Sequence, residues 1–403
     1  MTSRTSHEGP ALFSYGFRPF FLAASLFGLG VVPVWLMVWR GDLTLAGPFA
    51  PRDWHVHEMV FGYGAAVVAG FLFTAVPNWT GRMPTRGWPL AALLAIWIAG
   101  RLAVAGAIPL PPHVVMAVDT AFLVAVAVMI AREIVAGQNW RNLKVLVPVS
   151  LFAVANAGFH MEALHRGLAE SGGRAGIALL IFLVMLIGGR IVPSFTRNWL
   201  ARTGSPSRPA AFGRFDMVAL ACGAVALVLW VARPEGAVSG TVLALAAILH
   251  FARCLRWLGM LTLASPLLTM LHVAYAFIPL GLCAAALAAF GRADPATAPH
   301  LLGIGAVGGM TVAVMMRATM GHTGRNLVSG PMLNLAFVAV AAAAIARVAG
   351  QSDVLPGLDG IHVATLFWTF GYALAVRRLA PWLVGPRVAR KAPSKPAERV
   401  AKA

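Results

Sequence analysis

Twelve long apolar runs constrain this chain more than any motif in it. They lie near 19–39, 58–77, 88–107, 113–132, 144–164, 175–197, 213–232, 238–257, 266–290, 300–320, 331–349 and 362–382. About 20 consecutive apolar residues carry an α-helix across a hydrocarbon core, and a helix satisfies its own backbone hydrogen bonds where no water can. The connections between runs hold no inserted soluble domain. The pattern predicts an all-α integral membrane protein of twelve transmembrane helices, with residues 1–403 as a single transmembrane domain. Hydrophobic residues make up 59% of the chain and charged residues 11%, which excludes a soluble globular domain.

A formal net charge of +18 raises nucleic acid as a partner, and the placement of the charges removes it. With the N-terminus in the cytoplasm, 24 of the 32 Lys and Arg fall in inner loops and tails, and eight, among them Arg40, Arg101 and Arg347, fall on the other side. This positive-inside asymmetry puts both termini in the cytoplasm and makes the lipid bilayer the partner. Residues 386–403 form a basic tail, expected to be disordered and to lie against anionic lipid. No short apolar segment with a cleavage site precedes the first run, so the first span is expected to be retained. Cys222, Cys254 and Cys283 stand singly, without C-x-x-C or C-x-x-C-H. They are expected to be buried apolar side chains, and covalent c-type haem attachment is excluded.

The second run ends V-P-N-W-T-G-R (76–82), the sixth V-P-S-F-T-R-N (192–198) and the tenth M-G-H-T-G-R (320–325). A constant offset of 243 matches His57 with His300, Gly62 with Gly305, Thr80 with Thr323, Gly81 with Gly324 and Arg82 with Arg325. The helices then divide into three four-helix units, about 1–135, 136–257 and 258–385, around a pseudo-threefold axis; convergent turns at the inner interface would give the same endings. Gly62, Ala66 and Gly70, and Gly305 and Gly309, have the small-x-x-x-small spacing of close helix contact. They either pack helices or leave room for a flat cofactor.

Ionisable residues inside a membrane are costly and mark function, and the eleven histidines sort into two levels. Towards the outer surface lie His55 and His57 before the second helix, with His113, His160, His165, His300 and His362. Towards the inner side lie His250, His272 and His322. At 1.5 Å per residue His300 and His322 stand about 33 Å apart on one helix, so metal chemistry at both needs two sites. His55, His57, His160 and His300 bring four imidazoles from three helices to one level, and imidazole binds iron, copper and zinc. With few carboxylates and no cysteine nearby, haem iron and copper rank above structural zinc. His250 and His272 can meet at one inner depth, while His7, His113, His165 and His362 fit solvated or hydrogen-bonded roles. Glu58 either orients a ligand, relays protons or is plain interface polarity. Asp119, the most embedded carboxylate, serves proton entry or pairs with Arg101. Arg190 and Arg317 either hold an anion such as a haem propionate or snorkel to the cytoplasmic interface.

Six motifs in order then resemble one family. They are F-R-P-F at 17–20, W-H-x-H-E-M-x-F-G at 54–62, A-V-P-N-W-T-G-R at 75–82, N-W-R-N-L at 139–143, I-G-G-R-I-V-P-S-F-T-R-N at 187–198 and M-x-R-A-T-x-G-H-T-G-R at 315–325. Together they resemble the NnrS family over nearly the whole chain. The resemblance implies a multi-pass protein of the bacterial inner membrane containing haem, one or two of b type, and copper, linked to nitric oxide in denitrifying and nitrosatively stressed bacteria. The family's histidines match His55, His57, His160, His250, His272, His300 and His322. The arrangement is also similar to the haem-copper oxidase and nitric oxide reductase superfamily, whose second and tenth helices ligate one haem. His57 and His300 would be that pair, and a second haem would lie between His250 and His272 with His322 nearby. The seventh helix lacks a His-His pair and the sixth lacks histidine, so the superfamily's second metal site is not reproduced. The expected function is binding of nitric oxide and its reduction to nitrous oxide, with electrons from quinol or a cytochrome and protons through Glu58 or Asp119. The alternatives are a non-catalytic nitric oxide binder or sensor and, third, a secondary transporter, which twelve spans also allow.

Overall fold

The computed structural model describes residues 8–350 and 359–388. His7 and the tail residues Arg390, Lys391, Lys395, Arg399 and Lys402 lie outside the described residues. The first tail residues are held in place, since the Val388 amide donates to the Thr323 carbonyl at 3.0 Å.

Among the described residues every regular element is helical. The rods are α1 Phe17–Trp39, α2 Pro51–Thr80, α3 Trp88–Val104, α4 Pro112–Ala136, α5 Leu146–Arg166, α6 Glu170–Arg202, α7 Arg214–Ala232, α8 Ala237–Leu255, α9 Pro266–Ala289, α10 Thr297–His322, α11 Gly330–Ala349 and α12 Gly360–Val384. Ten of them are long and apolar enough to cross a membrane. The other two are α3, apolar but 17 residues long, and α12, 25 residues long with Arg377 and Arg378 side by side inside it.

α2 begins at Pro51, well ahead of its apolar run. Proline in the first turn forfeits no intrahelical bond, so the helix takes in Asp53, Trp54, His55 and His57. The W-H-V-H-E stretch is therefore the opening of a helix and not a loop leading into one.

α2, α6 and α10 share two features. Each carries a wide-turn π-helical segment: Glu58–Gly64, Val184–Gly188 and Leu301–Gly308. Each then stops at Thr-Gly, with Gly81, Gly204 and Gly324 in left-handed backbone at φ 69°, 75° and 81°, a conformation that a Cβ disfavours. The wide segments begin 23, 20 and 23 residues before those glycines. A π-turn changes the direction of the side chains that follow it. α6 consequently runs through V-P-S-F-T-R-N, expected as its end, for about one more turn, and its stop is Thr203-Gly204.

Neighbours along the chain pack as hairpins, α3 on α4, α7 on α8 and α11 on α12, while α1 packs on α2 and α12, α5 on α6 and α4, and α9 on α10 and α8. α6 touches both α2 and α10, and Tyr63 of α2 meets Thr311 of α10 at 2.5 Å, so these three meet in the interior. α2, α6, α9 and α10 bury more than half of their apolar length, whereas α4, α5, α7, α8 and α11 bury well under half. The small residues along α2 and α10 are packing positions. A Cβ on Gly62 would lie 2.6 Å from the Arg101 guanidinium, one on Gly70 would lie 2.7 Å from the Phe21 ring, and one on Gly305 would strike Phe277.

Arg18, from F-R-P-F, is buried and donates to the carbonyls of Leu383 at 2.9 Å and Gly385 at 2.7 Å. It thus satisfies the unpaired carbonyls at the end of α12, where the helix dipole favours a cation. The cysteines depart from expectation: Cys222 and Cys254 are half-buried and Cys283 is exposed.

Candidate metal site

Near the end of the bundle where α2 begins, six polar side chains from four helices converge. His57 and Glu58 come from α2, Arg101 from the last turn of α3, Asp119 from the first half of α4, and Asn156 and His160 from α5. Asn156 and His160 are four residues apart, which puts them on one helix face. None of the six is more than 8% exposed.

Asp119 is the hub. One carboxylate oxygen pairs with the Arg101 guanidinium. The other lies 3.1 Å from His57 Nε2, 3.1 Å from His160 Nε2 and 2.7 Å from Asn156 Nδ2, which donates to it. Glu58 Oε1 lies 3.0 Å from His57 Nδ1 and accepts from Arg101 at 2.6 Å. His57 Nε2 also lies 2.9 Å from Asn156 Oδ1, so every partner of the ring is an acceptor and a single ring proton serves one side only. Held on Nδ1 by Glu58, it would leave the Nε2 lone pair for a metal, and an outer carboxylate that fixes the tautomer in this way is the usual support of a ligating histidine. Gly62 makes the approach possible, because a side chain there would displace Arg101.

Two carboxylates face one guanidinium; with both ionised and both imidazoles neutral, a cation would balance the buried charge. His57, Asp119 and His160 each offer one ligand atom, and the three atoms lie within 4.8 Å of one another. Tetrahedral bonds of about 2.0–2.2 Å from nitrogen and carboxylate oxygen to a metal place neighbouring ligand atoms roughly 3.3–3.6 Å apart. The two nitrogen–oxygen separations of 3.1 Å lie a few tenths of an ångström inside that range, and two imidazoles with one carboxylate suit iron, copper or zinc. The Phe49 ring covers the group, with its centroid 4.8 Å from those of both His57 and His160.

The structure does not bring His57 and His300 together. Both ring nitrogens of His57 are engaged within its own cluster, while His300 Nδ1 donates to the Ala296 carbonyl at 2.6 Å. α2 and α10 touch at the Tyr63–Thr311 contact. His57 meets His160 instead, at a centroid distance of 5.0 Å. His55, one residue pair earlier on α2, faces away from this group and stacks on Trp35 at 4.1 Å.

The expected inner pair does not form either. His250 of α8 meets the Tyr275 hydroxyl through Nδ1 at 3.0 Å and donates from Nε2 to the Ala219 carbonyl at 3.1 Å. His272 lies 2.8 Å from the Thr196 hydroxyl, and His322 stacks against Tyr15 and Phe17. His250 belongs to a second buried cluster, in which Arg253 donates to Asp216 at 2.8 Å, to the Met185 carbonyl at 3.0 Å and to Tyr275 at 2.8 Å. Arg190 is exposed and holds no buried anion, and Arg317 lies over the Phe195 ring at 4.0 Å. His113 and His165 are exposed, and His362 pairs with Asp359.

Sequence reasoning offered Arg101 as one of two roles for Asp119 and an orienting role as one of three for Glu58, and it missed Asn156 and Phe49. Asn156 had a signal, an amide one helical turn before a histidine in an apolar run. Phe49 had none, because it lies in the connection between α1 and α2.

The sequence model of one family, described as NnrS protein, matches residues 11–387. No curated protein matches the chain.

Proposed function

Because this chain belongs to the NnrS family, whose members are membrane proteins linked to nitric oxide, we propose that it binds nitric oxide at a metal ion held by His57, Asp119 and His160 in the bacterial inner membrane. One observation carries the reading: two imidazoles and a carboxylate converge in a buried cluster in which two carboxylates share one guanidinium. Iron and copper are the candidates, since both bond nitric oxide and both accept this donor set. Nitric oxide is uncharged and soluble in lipid, so it reaches a buried ion without a polar channel.

When bound, the ion supplies the centre to which nitric oxide bonds. The chain's own groups prepare that centre. Glu58 fixes the His57 tautomer, Arg101 holds Glu58 and Asp119 apart, Asn156 steadies the Asp119 oxygen, and Phe49 keeps water from the ligands. A catalytic reading, in which two nitric oxide molecules with two electrons and two protons give nitrous oxide and water, is favoured by the hydrogen-bonded carboxylates of Glu58 and Asp119. The electrons would come from quinol or a cytochrome.

Metal analysis of the purified chain tests the proposal. One iron or copper per chain, lost when His57 and His160 are both replaced by alanine, is the expected result; a metal-free chain, or metal retained in that variant, overturns it. Stoichiometry separates the two modes, because a binder takes up about one nitric oxide per metal and stops, whereas a reductase with a reductant continues.

The same proposal includes twelve spans with both termini cytoplasmic and three four-helix units, 1–135, 136–257 and 258–385. Three features support the units. The Thr-Gly stops and the π segments recur in α2, α6 and α10, and the packing of α1 on α12, α5 on α4 and α9 on α8 repeats every four rods. Reporter fusions at the loops check the topology, with a periplasmic signal at the α2–α3 connection as the result that sinks it.

A further inference from the structure

Beside His160 the bundle surface is indented. A cavity of about 50 Å³ lies between the connection preceding α2, the start of α4 and the end of α5, walled by Phe49, Met116, Met161 and Leu164, with His160 at its inner side and His113 at its edge. Met161 and Leu164 are 43% and 54% exposed, so the cavity opens on an apolar stretch of the bundle's outside. His160 is almost buried and is the one wall residue that also belongs to the metal cluster.

Size and polarity limit what can occupy this space. A water needs roughly 10–15 Å³ measured in the same way, so the cavity takes a molecule of a few heavy atoms and no cofactor ring. Imidazoles are the only titratable groups on its wall, and an ion entering it would lose hydration without gaining a counter-charge. A neutral, sparingly hydrated molecule meets neither penalty. The Phe49 ring, against both His57 and His160 and against Phe159 at 5.2 Å, forms the partition between the cavity and the ligand atoms.

We infer that this cavity is the entry and holding site for an uncharged, diatomic-sized molecule passing from the lipid-facing side to His160, and that Phe49 sets the size admitted. The destination rests on the metal reading of His57, Asp119 and His160; the cavity's occupancy does not.

Xenon is a probe that needs no metal. The purified full-length protein under xenon pressure should bind one atom between Phe49, Met116 and His160. Met116→Trp, which fills the cavity without replacing a ligand side chain, should abolish xenon binding and slow nitric oxide association about tenfold at unchanged metal content. Phe49→Ala should admit a bulkier neutral probe, butyl isocyanide, that the parent protein excludes. Failure of xenon to bind, or an association rate untouched by Met116→Trp in protein that retains its metal, overturns the inference. A metal-free protein that binds xenon at this position overturns the metal reading and leaves the cavity's assignment standing.

Discussion

Two buried clusters in this molecule are built from the same parts, an arginine, an aspartate and histidine, and they differ in what they leave unfinished. In the first, Arg101 is shared by Glu58 and Asp119, and two imidazoles turn Nε2 toward one carboxylate oxygen. In the second, Arg253 has one carboxylate partner, Asp216, so the charges balance. His250 is also fully committed there. The Ala219 carbonyl can only accept, so Nε2 carries the proton, and Nδ1 is left to accept from Tyr275. No lone pair remains for a metal. The number of carboxylates on each guanidinium, more than the presence of histidine, separates the proposed binding site from a strut that ties α7, α8 and α9 together.

Matched substitutions at the two aspartates test this distinction most severely. Asp119→Ala should remove the bound metal and also leave Arg101 partly unpaired, the largest combined effect. Asp216→Ala should destabilise the fold by about 3–5 kcal/mol, the range for breaking a buried ion pair from one side, while metal per folded chain stays at the parent value. Metal analysis and thermal unfolding in detergent read both. If Asp216→Ala strips the metal as well, the two clusters are not functionally distinct and the comparison fails.

Glu58 sharpens the first half of the contrast. It touches His57 and Arg101 but contributes no ligand atom to the triad, so Glu58→Gln keeps the shape and one acceptor while removing the charge. Loss of an orienting carboxylate lowers metal affinity about 10–100-fold, and competition with a chelator should show a shift of that size. An unchanged affinity would mean that His57 is positioned by packing alone.

How much of this was legible beforehand follows from what sequence encodes locally. Apolar length located ten rods that are long and apolar enough to cross a membrane, because such a helix records its length directly in composition. The level assigned to His57 and His160 brought those two to one end, where they meet. Pairing was not legible. His57 and His300 occupy equivalent positions in a repeat, and equivalence suggested that they face one another, but the π segments re-aim side chains in ways no periodicity reveals. Helix starts were misjudged for a related reason. Pro51 opens a polar first turn that hydropathy assigns to a loop, and the extra turn of α6, Trp199 to Arg202, lies beyond the polar Thr196-Arg197-Asn198 at which the apolar run stops. Arg190 was a charge in an apolar run, and only the rod's rotation shows that it points outward.

A third acid–histidine pair completes the comparison from the exposed side. Asp359 precedes α12, accepts from the amides of Ile361 at 2.9 Å and His362 at 3.1 Å, and meets His362 Nδ1 at 2.8 Å. Its distances match those of the buried clusters, yet solvent reaches it, so no excess charge is trapped and it works as a helix cap. Burial alone would raise its pKa, but the bonds from the His362 amide and imidazole and from the Ile361 amide outweigh that and hold the carboxyl below the usual range. A depressed folded-state pKa contributes stability above the unfolded value, about 3.9, and that contribution is lost as pH falls through the folded value. Asp359→Ala should therefore cost about 1 kcal/mol at neutral pH, as for loss of an N-cap, and the difference from the parent should shrink as the medium is acidified below pH about 4. Thermal unfolding across that range measures it. A penalty that persists unchanged in acid would show that Asp359 acts through packing and not through its charge, and would remove the contrast between the exposed pair and the buried ones.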